Sequence, residues 1–289
     1  MARHIAPQQG FTLIELITVI VLLGIVSVGI SGFISNGVSI FVDVSQRDQL
    51  LSQSRFVIER LNRELRSALP NSLRTTFQPS AHCIEFVPIV SSVFYTDVPV
   101  APETHTTATV LTFDPDALSE VQTTGNFAVV YPTSNADVYN TSQQKRLSYS
   151  CNNEGAGACV DANGDNLLQL NVTGSFATDS PAKRLYIVNN AVSYCVRPIS
   201  PGSLRKSIYR HENAIQSSQT AYTSGGVLMA DGVVNTLSVF GASVDAPFRS
   251  VPPSLSRNGM SYIMLKFARQ DNDNEQVIYS SEVHVANVP

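Results

Sequence analysis

The uncharged run from Leu16 to Val42, LITVIVLLGIVSVGISGFISNGVSIFV, constrains this chain more than any other feature. About 20 apolar residues cross a bilayer as a helix at 1.5 Å per residue, so the run is long enough to span. A secretory signal would have a shorter apolar core closed by an A-x-A-like cleavage site. This run is longer and ends among Ser, Gly and Asn without such a site, so it reads as a retained anchor. The apolar residues crowd toward this end of the chain. The remainder of the 289 residues is long enough to bury its own core.

A plain anchor does not explain the start of the run, where Gly10 is followed by Phe11, Thr12, Leu13, Ile14, Glu15 and Leu16. A carboxylate inside a spanning segment costs roughly 2.5–3.5 kcal/mol and calls for a partner. The segment GFTLIEL follows a short leader that contains Arg3 and ends in Gly10. It resembles the type III signal of type IV pilins and pseudopilins. The resemblance implies cleavage by a prepilin peptidase after Gly10 and methylation of the new N-terminal Phe11. It also implies that Glu15 pairs with the free N-terminal amine of a neighbouring subunit during assembly. Arg3 in the leader fits a cytoplasmic N-terminus. With the resemblance, this implies a single-pass inner-membrane protein with a periplasmic C-terminal domain, later carried to the cell surface in a pilus.

Beyond the membrane the helical period continues. Leu50, Val57, Leu61, Leu65 and Ala68 recur on one stripe, with Ser54 in its gap. Arg55, Glu59 and Arg63, with Arg60 and Glu64, read as solvated supports at ion-pair spacing. Pro70 stops the pattern. Gly24, Gly29 and Gly32 in the apolar half have two readings: close packing between anchor helices, or a segment that unwinds when subunits crowd together. Many major pilins have a proline near Gly32, which this chain lacks.

After Pro70 the period becomes that of short strands separated by turn residues. Candidate strands are His82–Val90, Thr107–Phe113, Phe127–Tyr131, Leu167–Val172, Arg184–Val188, Val192–Arg197, Lys206–Arg210, Leu237–Val244, Tyr262–Ala268 and Val277–Val285. Val192–Arg197 and Lys206–Arg210 form a hairpin across Pro198–Gly202. Thr133–Gln144 and Asn213–Gly226 are polar loops. The expected fold is α+β: a long N-terminal helix, with a transmembrane half and an amphipathic half, packed on an antiparallel β-rich domain. The expected divisions are a leader at 1–10, a transmembrane helix at 11–34, its amphipathic continuation at 35–69 and the β-rich domain at 70–289.

Three softer matches narrow the resemblance. RFVIERLNRELRSALPNSLR, CIEFVPI and the closing VHVANVP are similar to minor pilins of mannose-sensitive haemagglutinin pilus systems, which are related to J-type pseudopilins of type II secretion. VLMADGVVNTLSVFG resembles a J-type segment in which a glycine-containing turn leads into a core strand. The resemblance implies a structural subunit near the filament tip, with other minor and major pilins, the inner-membrane assembly platform and the lipid bilayer as partners. K-type tip subunits lack the glutamate, so Glu15 places this one beneath the tip. The alternatives are a minor pseudopilin of type II secretion and a pilus-tip adhesin.

The four cysteines, Cys83, Cys151, Cys159 and Cys195, have neither C-x-x-C nor zinc-finger spacing. In an oxidising compartment they pair. Cys151 and Cys159 flank a small-residue loop, which leaves Cys83 with Cys195 on two predicted strands. A net charge of -4 argues against nucleic acid. Asp161–Asn166 has oxygen ligands at alternate positions but a misplaced glycine and no closing glutamate, so a polar turn is preferred to a calcium loop. Asp271–Glu275 likewise reads as a turn. The glycosylation-like triplets at Asn140 and Asn171 are assigned no function. With scattered histidines and no G-x-S-x-G or H-E-x-x-H motif, no enzyme, cofactor or metal is expected.

Overall fold

The computed structural model describes residues 10–111, 126–151, 166–200, 202–238, 245–253, 257–269 and 272–285. Helix α1 runs from Leu13 to Arg66. Thr12 starts it: its hydroxyl and carbonyl both face the Glu15 N–H, at 3.4 and 3.1 Å. It ends three residues before the expected Leu69. The Leu69 N–H donates to the Val87 carbonyl and the Ile89 N–H to the Ser67 carbonyl, at 2.8 and 2.9 Å. Those strand-like bonds take the backbone that would have extended the helix.

The strands follow in the order β1 (Arg74–Gln78), β2 (Ala81–Phe86), β3 (Ser91–Asp97), β4 (Thr107–Leu111) and β5 (Phe127–Val130). After a short helix α2 (Asn135–Tyr139) come β6 (Arg146–Cys151), β7 (Leu167–Val172), β8 (Arg184–Val188), β9 (Asn190–Pro198) and β10 (Lys206–Ala214). The chain closes with β11 (Val227–Val233), β12 (Phe248–Val251), β13 (Gly259–Arg269) and β14 (Asn272–Val285). Among the described residues these form an eight-stranded sheet, β1-β2-β9-β10-β11-β13-β12 with β14 also on β13, and a closed barrel, β3-β4-β7-β6-β5-β8. The strand pairs are antiparallel. The fold is therefore α+β, a long apolar N-terminal helix followed by an antiparallel β-rich globular part.

The chain divides into two compact units, Met1–Gln49 and Leu50–Pro289. The described part of the first is essentially helix, and its apolar side chains are exposed, Phe33 by 80% and Val28 by 76%. In the second, Val57, Ile58, Leu61, Leu65 and Ala68 are buried against Ile84, Phe86, Tyr194, Ile208, Leu265 and Phe267 of the sheet. Each fully buried aliphatic side chain contributes about 1.5–3 kcal/mol, so this stripe dominates helix docking. The barrel has its own interior, including Val93, Ala108, Val110, Leu168, Leu170, Leu185 and Ile187. A third cluster joins Leu69 and Val87 to Val138, Tyr139 and Tyr186 and so ties α2 to the core.

Five strands, β1, β3, β6, β11 and β12, arise where none was expected. In VLMADGV the glycine lies within the strand rather than leading into one. Gly232 has φ +80°, and a Cβ there would sit 2.9 Å from the Ala268 carbonyl oxygen, so β11 bulges at a glycine. The downstream expectation fails where it can be seen: Leu237 and Ser238 are irregular, while 239–244 lie outside the described residues. Thr133–Gln144 is not simply a polar loop. Ser134 and Asp137 form a capping box that starts α2, and Val138 and Tyr139 are buried. Most of the expected Asp271–Glu275 turn is strand, because β14 begins at Asn272.

Candidate functional site

The N-terminal segment holds the residues singled out for processing and assembly, although most of the leader, 1–9, lies outside the described residues. Gly10 is exposed, and a Cβ added there would meet nothing within 4 Å. Packing therefore does not demand a glycine at this position. Phe11 is 79% exposed, just ahead of the helix. Glu15 occupies the first helical turn, where unpaired N–H groups and the helix dipole favour a carboxylate. Thr12 and Glu15 thus have capping-box spacing, a helix-start signal carried by the stretch TLIE.

Further along, three hydroxyls of the apolar segment bond back to the helix itself. Thr18 donates to the Glu15 carbonyl at 2.9 Å, Ser31 to Ser27 at 2.8 Å and Ser39 to Asn36 at 2.9 Å. Such bonds let hydroxyls sit in lipid without bare polar atoms. Cβ atoms at Gly24, Gly29, Gly32 and Gly37 would meet nothing within 4 Å. The helix is unbroken through all four, and nothing inside this chain requires them to be glycine.

The amphipathic half is fixed by more than its apolar stripe. Glu64, expected to be solvated, instead accepts from Arg210 of β10 at 3.1 Å and from Arg60 at 2.9 Å. Its side chain is 19% exposed. Arg210 also reaches Glu212 at 3.1 Å. Burial opposes the Arg210 charge, but the bonds to Glu64 and Glu212 hold its pKa above the usual value. Burial, helped by the charge of Glu64, pushes the Tyr194 hydroxyl well up. Ser54, the polar gap in the stripe, is fully buried and donates to the Tyr279 hydroxyl at 3.2 Å. The Ser281 hydroxyl bonds Asn62 at 3.1 Å.

A second polar hub lies where the sheet meets α2. Arg74 donates to buried Glu85 at 2.8 Å, Ser193 donates to the other Glu85 oxygen at 2.9 Å, and the Arg74 guanidinium lies 3.4 Å from the Tyr139 ring centre. The Tyr139 hydroxyl donates to the Ser72 carbonyl at 2.7 Å, and burial drives its pKa well up. These groups are mutually satisfied and hold elements together. A recess of about 210 Å³ is lined by Asn71, Thr133, Ser134, Asn135 and apolar residues, with no ionisable side chain. A wider one carries Arg205 and Lys206 but no carboxylate. Among the described residues no three His, Cys, Asp or Glu are grouped to hold a metal ion.

Cys83 and Cys195 face each other in register on β2 and β9 and are joined by a disulfide. Cys151, at the end of β6, is also disulfide-bonded. Its expected partner Cys159 and the Asp161–Asp165 segment lie outside the described residues. Asn140 Oδ1 accepts from the Ser142 N–H at 3.0 Å and caps a turn, and Asn171 lies on β7.

No curated protein and no solved structure matches the chain significantly. One family does match, over residues 5–31, and it is described as the prokaryotic N-terminal methylation motif. That segment contains Gly10, Phe11 and Glu15 and opens an apolar helix long enough to cross a membrane, which supports a type IV pilin-like protein anchored near its N-terminus.

Proposed function

We propose that this chain is a structural minor pilin of a type IV filament of the mannose-sensitive haemagglutinin class, anchored in the inner membrane and incorporated beneath the filament tip. The observation that carries the reading is the methylation motif at 5–31 set directly on the long apolar helix. In this reading a prepilin peptidase recognises Gly10, which the fold does not itself require to be glycine. Phe11 becomes the methylated N-terminus. Glu15 receives the amine of an adjacent subunit, which offsets the cost of holding a carboxylate in lipid. The other minor and major pilins are its partners, and the β-rich part faces the periplasm before assembly.

Glu15 has two separable roles, a local one at the helix start and an intersubunit one as a charge. Glu15→Gln keeps a residue that suits the third helical position but removes the charge. Glu15→Val removes both. Expressed as the only copy, both variants are expected to be cleaved after Gly10 and to accumulate in the membrane, yet to be missing from sheared filaments. Normal incorporation of Glu15→Gln contradicts the charge-pair role. Co-purification with secretion pseudopilins instead of pilus subunits contradicts the filament class.

A further inference from the structure

The segment 215–226, between β10 and β11, was expected to be only a polar loop, but it lies across the Cys83–Cys195 disulfide as a strap. Both cysteines are fully buried, and the residues packed with them are Ala81, Ala221 and Tyr222. The strap is held along its length. At one end Ile215 is buried in the cluster around Tyr139 and Tyr186. The Arg74 guanidinium donates to the carbonyls of Gln216 and Ser217, each at 2.8 Å. In the middle the Gln219 amide reaches the carbonyls of Arg74 at 3.4 Å and Cys83 at 3.5 Å.

At the far end the Tyr222 ring stacks on His211 of β10 with ring centres 4.3 Å apart. Arg197 of β9 donates to the Gly225 carbonyl at 2.7 Å. Gly226, at φ +79°, lies so close that a Cβ would come within 2.6 Å of the His211 ring. Residues 216, 217, 218, 220, 223 and 224 face solvent while 215, 219, 221 and 222 face inward. The polar composition thus hides four inward contacts: Ala221 and Tyr222 pack with the two cysteines, Gln219 holds the Cys83 carbonyl and Ile215 anchors the near end.

We propose that this strap is a gate on thiol–disulfide exchange at Cys83–Cys195, so that the bond is chemically accessible only when 215–226 lifts from the sheet. Exchange requires a thiolate to reach a disulfide sulfur. With a dithiol such as dithiothreitol, one thiolate attacks Sγ of either cysteine and releases the other as a thiolate. The second dithiol sulfur then resolves the mixed disulfide. The protein bond gains two electrons and two protons while the dithiol is oxidised to its cyclic disulfide. Formation of the bond retraces this path, so a periplasmic thiol oxidant also acts on the strap-open chain.

The test is timed reduction of the full chain in mild detergent by dithiothreitol, quenched by alkylation, with labelling at Cys83 and Cys195 read by peptide mass. Local opening predicts a wild-type rate that is flat at low denaturant concentration, because little surface is exposed. Tyr222→Ala is expected to react at least about tenfold faster, and Tyr222→Phe within about twofold of wild type. Gln219→Ala, which removes only polar contacts, is expected to react several-fold faster and serves if Tyr222→Ala loses its β-sheet circular dichroism. Equal rates in wild type and in the folded variants overturn the gate. So does a wild-type rate that climbs with denaturant in step with global unfolding.

Discussion

Leu61 and Phe56 lie on one helix and offer a direct test of which face holds α1 to the sheet. Leu61 is fully buried in the cluster with Phe86, Tyr194 and Phe267, while the larger Phe56 is 51% exposed. Leu61→Ala removes transfer free energy and leaves a cavity in a core of rigid strands, a loss of about 2–5 kcal/mol. For a unit of this size each kcal/mol lowers Tm by about 2–4 °C, so a drop of about 4–20 °C is expected. Phe56→Ala, at an exposed position, should change stability by no more than about 0.5 kcal/mol. Thermal melting of the full chain in mild detergent, followed by circular dichroism of the β signal, separates the two. A Phe56→Ala loss equal to or larger than that of Leu61→Ala would refute the docking face.

The Glu64–Arg210 pair is partly buried, unlike an ordinary surface ion pair, so a double-mutant cycle with Glu64→Gln and Arg210→Met should give a coupling of about 1–2 kcal/mol. A value near zero would mean that this ion pair does not help to hold the helix to the sheet. His82 and His211 are both held down to about 4 by burial, with Arg197 adding to the effect at His211. They remain neutral in the fold while the unfolded chain takes up protons below about 6.5. Their stabilisation is therefore complete above that pH and is lost as the pH falls toward 4, by up to about 3 kcal/mol for His82 and less for the better-screened His211. His211→Gln should flatten the Tm decline between pH 6.5 and 4 relative to wild type, and an unchanged slope would remove His211 from the account.

The two ends of α1 illustrate what residues announce by themselves. GFTLIEL and the uncharged run are contiguous signals governed by lipid, and the stripe Leu50 to Ala68 is periodic, so neither needs knowledge of distant partners. Glu64 does need it. Only the approach of Arg210, far along the chain, turns a surface carboxylate into a clamp. The β-rich half was legible as strands where alternation was long, as in β7 and β13, or where a short apolar run stood between turn residues, as in β8. Short strands such as β1 and β12 gain their stability from neighbours, and β11 conceals itself behind a bulge at Gly232. The split into a sheet and a separate barrel was not legible, because pairing order is set by contacts between segments far apart in sequence. The strap was missed for the same reason: its polar residues look like any loop until Tyr222 is seen over the disulfide.

Cleavage after Gly10 and methylation of Phe11 are what a pilin-like role for this chain requires. Intact-mass and N-terminal peptide analysis of the protein extracted from membranes tests both most directly. The expected product is a chain lacking residues 1–10 that begins at Phe11 and carries one methyl group on its amine. A mature chain that still begins at Met1, or one cut elsewhere in the apolar run, would contradict that role.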